Sequence, residues 1–145
     1  MTATLYKIGE LAQKADVSVE TLRFYETKNL LNAHSRSSAG YRLYSEQDLH
    51  QLYFILHAKK VGFSLAEIKQ LLGVQVNKQQ YTCEDVKHFT EEKIAQIEAK
   101  IDDLSKIKLA LAQLNKACCG GEESAMHCSI LHTLEDPTLF QVKGA

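Results

Sequence analysis

The stretch YKIGELAQKADVSVETLRFYETKNLL, residues 6–31, decides the fold. In its first part Ile8, Leu11, Ala12 and Ala15 recur at i, i+3, i+4 and i+7, which makes one apolar face of a short helix. The DVS segment interrupts that period. Ser18 then offers a hydroxyl oxygen to the orphaned N–H groups of a new first turn, so a second helix starts at Val19. Val19, Leu22 and Tyr25 fall on its inner side. Two short helices joined by so tight a turn form a helix-turn-helix pattern. A plain helical hairpin has the same pattern, so the flanking sequence decides between them.

The next stretch, HSRSSAGYRLYS at residues 34–45, carries a turn signal in SSAG and alternation in YRLY. It predicts a small β-hairpin with Gly40 at its tip. Arg36, Tyr41 and Arg42 crowd that tip. A hairpin beside a helix-turn-helix is a wing, where arginine reaches phosphate or the minor groove while a recognition helix reads the major groove. A solvated hairpin with ordinary surface arginines is the plainer alternative. Two further helices follow, one started by Ser45 with Asp48 and one by a capping box of Ser64 with Glu67. Gly62 and Gly73 stand just past the apolar runs, where helix ends want glycine. Leu49, Leu52, Ile55, Leu65, Ile68, Leu71 and Leu72 are expected in the core, and His50 and His57 have structural roles.

From Thr82 to about Lys116 there is neither glycine nor proline. Ile94, Ile97, Ile101, Leu104, Ile107, Leu111 and Leu114 recur at spacings of three and four, with Glu and Lys between them. This predicts a long coiled-coil helix with one apolar seam. No other long helix in the chain covers that seam, so a second copy is the natural partner and a homodimer is expected.

Just past this helix lies ACCGGEESAMHCSIL, with Cys118, Cys119 and Cys128; the fourth cysteine, Cys83, stands at the helix start. About 35 residues at ~1.5 Å each span roughly 50 Å, so Cys83 does not share a metal with the loop of its own chain. In an antiparallel dimer, Cys83 of one subunit meets Cys118, Cys119 and Cys128 of the other. Cys83 also lies where the helix dipole favours a thiolate. Thiolates suit Zn²⁺, and Glu122, Glu123 and His127 offer further donors. Adjacent Cys118 and Cys119 fit round one ion only with strain, and a bridging thiolate would let them serve two. Burial as small apolar residues is the alternative for all four cysteines.

Composition sets the frame. The 145 residues are 45% hydrophobic and 24% charged, the balance of an ordinary globular protein of one domain, or of a small domain with an appendage. The net charge of −1 hides an asymmetry. Residues 1–80 carry ten basic and seven acidic side chains, and residues 81–145 carry seven and eleven. The two halves therefore suit different partners. The N-terminus lacks a signal-like apolar core, and no run approaches the eighteen or so apolar residues of a membrane helix. A cytoplasmic location with no membrane role is expected, and there clustered cysteines bind metal more often than they form disulfides.

The residues YKIGELAQKADVSVETLRFYETKNLL, RSSAGYRLYSEQDLHQLYFI and GFSLAEIKQLL resemble the DNA-binding domain of the MerR family of transcription regulators. The TC pair at 82–83 and the ACCGG…CSIL segment extend the likeness to about residue 135, toward the zinc-responsive type of that family. The resemblance implies a mainly α fold. A winged helix-turn-helix DNA-binding domain spans 5–73, and a long antiparallel coiled-coil dimerisation helix spans 81–117. A metal-binding loop and short helix follow at 118–135, with a loose tail at 136–145. It implies no enzyme activity. It implies instead a homodimeric activator that distorts palindromic promoter DNA for RNA polymerase when metal binds, switching on a zinc-efflux gene. Ser18, Thr21, Arg23 and Tyr25 match recognition-helix positions, and Arg36, Tyr41 and Arg42 match the wing. Cys83, Cys118, Cys119 and Cys128 match the metal ligands, for one or two Zn²⁺ per site with Cys83 from the other subunit. The zinc-responsive type has a histidine four residues after the second cysteine of the pair; here Glu123 stands there, and His127 lies next to Cys128. Either residue can complete a second ion's site.

Cd²⁺, Pb²⁺ and mercury are also soft enough for these sulfurs. A copper(I) sensor of the same family needs only two sulfurs, typically has serine at the position of Cys83, and has a shorter loop. An iron–sulfur sensor needs four close cysteines, and a zinc enzyme needs an open ligand position with a nearby base. A structural zinc protein explains the cysteines but not the wing.

Overall fold

The structure, a computed structural model, describes residues 4–139. They fall into two compact units, one up to Lys93 and one from Ile94 on.

The first unit is the head. Strand β1 (Leu5–Lys7) leads directly into α1 (Ile8–Ala15). Asp16 ends α1 in the left-handed conformation, φ 56°, and the Val17 N–H closes onto the Ala12 carbonyl at 3.0 Å. Helix α2 (Val19–Thr27) starts as expected, with the Ser18 hydroxyl accepting from the Thr21 N–H at 3.1 Å. The hairpin pairs β2 (Ser35–Arg36) with β3 (Arg42–Ser45), and Gly40 takes φ 88° in its turn. Strand β1 pairs antiparallel on the other side of β3, Tyr6 opposite Tyr44, so the sheet order is β1-β3-β2.

Helix α3 (Glu46–Lys60) carries a reciprocal cap, Asp48 N–H to Ser45 hydroxyl at 3.1 Å and Ser45 N–H to Asp48 carboxylate at 2.8 Å. Helix α4 (Leu65–Val76) repeats it with Ser64 and Glu67, and Gly62 turns the chain between the two helices at φ 102°. Gly73 does not end α4. The helix continues to Val76, with Val74 buried, and Asn77 closes it by donating to the Gly73 carbonyl at 2.9 Å. Tyr44, Leu11, Leu22, Leu30, Leu31, Leu52, Ile55 and Ile68 form the sealed centre of the core. The expected Leu49 is buried too, while Leu65, Leu71 and Leu72 pack half-buried around it.

Helix α5 (Cys83–Lys116) is the long helix the sequence predicts. Thr82 and Asp85 cap it reciprocally at 3.1 and 2.7 Å. Its first turns belong to the head. Phe89 packs on the core, and the buried Lys93 ammonium lies 2.8 Å from Glu67 and 5.8 Å from the centre of the Phe63 ring. In the second unit the seam residues Ile94, Ile97, Ile101, Leu104, Ile107 and Leu111 are all exposed, Leu104 at 63%. A short α6 (Ser129–Glu135) follows the cysteine loop. The segment after 135 begins as an ordered turn: Asp136 accepts from the Thr138 N–H at 2.9 Å, and Leu139 joins Ala110, Leu114 and Thr133 around a cavity of about 250 Å³. The rest of the expected tail, 140–145, lies outside the described residues.

Candidate functional site

Two arrangements stand out, a basic groove on the head and a thiol cluster in the second unit. The groove holds about 930 Å³ between α2 and the hairpin, and Arg23, Arg36, Tyr41 and Arg42 line it. Arg23 is presented by α2, whose direction the Ser18 cap sets. Thr21 is bound to that cap, its hydroxyl 2.9 Å from the Ser18 hydroxyl. Arg36 closes the hairpin by donating to the Gly40 carbonyl at 3.3 Å, and Lys7 lies over the Tyr41 ring, 5.1 Å from its centre. One expected groove residue is displaced. Tyr25 is only 3% exposed and belongs to the core, since it falls on the same helical face as Leu22. Its ring packs in the core and does not line the groove. Its neighbour Phe24, 46% exposed, is the outward aromatic of α2.

Sequence reasoning missed Glu26. Its carboxylate accepts from the Arg42 guanidinium with one oxygen and from the Tyr44 hydroxyl with the other. Burial, together with that acidic partner, pushes the Tyr44 hydroxyl far above the ordinary phenol range. The available signal was the YRLY alternation. It turns Arg42 and Tyr44 to the same side of β3, one reaching the rim and the other the core.

In the second unit, α5 ends at Lys116 and Gly120 turns the chain at φ 73°. The loop returns through a 3₁₀ turn at Ala125–His127, where the Ser124 hydroxyl accepts from the Met126 N–H at 3.3 Å. This brings the Cys128 thiol 3.9 Å from Cys118. Two thiolates bound at ~2.3 Å to one tetrahedral ion lie about 3.8 Å apart, so the pair has the spacing of adjacent zinc ligands. A linear S–metal–S pair with the same bonds would need ~4.6 Å. The Cys128 thiol is held below its ordinary range by the N–H groups of Leu131 and Ile130 in the first turn of α6, and by Cys118. Cys119 is exposed, as is Cys83 at the start of α5. Cys83 borders an apolar pocket of about 360 Å³ lined by Phe54, Leu71, Val74 and Val86. Among the described residues no three His, Cys, Asp or Glu side chains are gathered as a ready metal site. Glu123 and His127 are thus not drawn into a cluster with the Cys118–Cys128 pair. No helix among the described residues is long and apolar enough to cross a membrane.

Residues 6–74 match the family described as MerR HTH family regulatory protein, and residues 49–114 match MerR, DNA binding. The chain is 41% identical over 131 residues to the HTH-type transcriptional regulator ZntR of Escherichia coli (strain K12), covering 90% of this chain and 93% of that protein. It is 40% identical over 129 residues to the mercuric resistance operon regulatory protein of Bacillus cereus, with coverage of 89% and 96%. Among solved structures it is similar to the transcription regulator PbrR691 from Ralstonia metallidurans CH34 in complex with lead(II), at a TM-score of 0.79 and 35% identity over 89% of this chain and 98% of that one. These relatives are regulators, not enzymes.

Proposed function

The chain belongs to the MerR family of helix-turn-helix regulatory proteins, and on that premise we propose that this metal-responsive regulator is a cytoplasmic activator of a zinc-efflux gene. The observation that carries the reading is the Cys118–Cys128 pair, whose 3.9 Å separation suits adjacent sulfurs on a tetrahedral divalent ion. Copper(I) in a linear site fits that spacing less well. Lead and mercury, which the relatives' names carry, keep the soft divalent alternatives in the test.

The ligands are Cys118, Cys119 and Cys128 of one subunit with Cys83 of the other. Support for sharing comes from α5 itself, since the ends of a 34-residue helix are about 50 Å apart. The exposed seam from Ile94 to Leu111 is the surface on which two such helices pair antiparallel. A bound ion supplies a crosslink between the loop and the start of the partner helix. The protein does the rest. Cys83 is the first residue of α5, and Phe89 and Lys93 hold the next turns of that helix in the head. A displacement at Cys83 therefore moves a lever seated in the DNA-reading unit. Ser18 and Thr21 set the pose of α2. Arg23 reads a base edge, and Arg36, Tyr41 and Arg42 hold phosphates of a palindromic promoter. The distortion of that duplex lets RNA polymerase engage it.

The test is transcription in vitro from the cognate promoter, with Zn²⁺, Cd²⁺, Pb²⁺, Hg²⁺ and Cu⁺ titrated under buffered conditions. Half-maximal activation at the lowest free concentration with zinc is expected. A response to Cu⁺ alone would overturn the zinc assignment.

A further inference from the structure

Glu26 is the acidic side chain in a groove whose other charged lining residues are Arg23, Arg36 and Arg42. A carboxylate facing phosphate is repelled, so its presence there calls for a compensating role. The geometry supplies one. Glu26 sits in the last turn of α2, its side chain only 13% exposed, and its two oxygens are shared between Arg42 and Tyr44 of β3. Tyr44 is fully buried, so one oxygen is anchored to the core while the other grips the wing. Arg42 keeps 47% of its side chain exposed. One of its terminal nitrogens is bound to Glu26, and a guanidinium has further N–H donors in a rigid plane.

We propose that Glu26 is a positioning residue for DNA recognition, locking the wing arginine Arg42 to the recognition helix so that α2 and the hairpin meet the duplex as one rigid surface. The inference rests on the DNA-binding reading above. It differs from a simple charge argument in the sign of its effect. If Glu26 only repels phosphate, removing its charge strengthens binding. If it positions Arg42, removing its charge weakens binding, and only while Arg42 is present.

The experiment uses the full-length dimer and a fluorescent duplex selected by the wild-type protein from a random pool. Failure to select any sequence would sink the DNA-binding reading itself, before Glu26 is tested. Affinity is then measured across a salt series for wild type, Glu26→Gln, Arg42→Ala and the double variant. Glu26→Gln is expected to weaken binding about tenfold in the wild-type background and by less than about twofold in the Arg42→Ala background. A double-variant cycle reads that coupling directly. Tighter binding by Glu26→Gln with a steeper salt dependence, or an equal loss in both backgrounds, would overturn the proposal. Should Glu26→Gln fail to fold by its thermal melt, Tyr44→Phe replaces it, since it keeps the ring and frees one carboxylate oxygen. A loss of about threefold that disappears without Arg42 is expected there, and a loss independent of Arg42 would reject the lock.

Discussion

At the residue scale, the proposed function divides the groove into a residue that reads bases and residues that hold phosphates. Arg23 projects from α2, and replacing it with alanine should weaken binding by about 1–3 kcal/mol and relax the preference at one base position. Arg42→Ala should flatten the salt dependence by roughly one phosphate's worth, a slope change near 0.9. A fluorescence titration on matched and mismatched duplexes distinguishes the two, and unchanged affinity in both variants would remove this groove from DNA binding. In the loop, Glu123 and His127 are exposed and stand apart from the sulfur pair. Glu123→Ala and His127→Ala should leave the tightest ion in place and alter only a second, weaker one. Native mass spectrometry counts ions per dimer, and loss of the tight ion in either variant would make that residue a primary ligand.

At the element scale, the first turns of α5 are fastened to the head by Phe89 and by a part-buried ion pair. Lys93 donates to Glu67, which also closes the α4 capping box, and these bonds hold the Glu67 carboxyl down at about 2. Lys93→Met removes the donor and should cost about 1–3 kcal/mol in the thermal melt. The sign of the pH effect follows. Because the folded carboxyl titrates below its ordinary 4.5, its contribution is complete above that pH and is lost as the pH falls toward 2. The gap in stability between wild type and Glu67→Gln should therefore close between those limits. A gap that persists at pH 2 would contradict this.

Elements differed in how legible they were. Each serine cap stood before an apolar period, so α2, α3 and α4 could be read from local chemistry alone. Strand β1 could not, because three residues carry too little pattern and its partner β3 lies far along the chain. The end of α4 was misplaced at Gly73, since a glycine in an open helical position looks the same in sequence as one that ends a helix. Tyr25 was readable both as core and as surface, and only packing decided. The cysteines were legible as candidate metal donors, and the structure brings Cys118 and Cys128 together. Which pair approaches was not legible, because the turns at Gly120 and Ala125–His127 determine it.

At the scale of the whole molecule, the proposed function couples a thiol loop to a DNA-reading head through a paired helix. Under the proposed mechanism both states hold the same duplex and differ in its shape, so metal is expected to change transcription far more than promoter affinity. A gel-shift titration in which zinc abolishes binding would point to derepression instead. Pairing is expected to depend on the exposed seam. Leu104→Glu with Ile101→Glu should yield monomers by sedimentation, with the head still folded.

The central claim is that each metal site is built from two chains. It is tested most directly by zinc retention in a mixed dimer of Cys83→Ser with a partner in which Cys118, Cys119 and Cys128 are all serine. Each homodimer lacks a complete site, whereas the mixed dimer has one complete end. With dimer formation and DNA binding verified, the mixed dimer is expected to keep one zinc ion against a chelator that strips both homodimers. A mixed dimer stripped as easily as they are would contradict it.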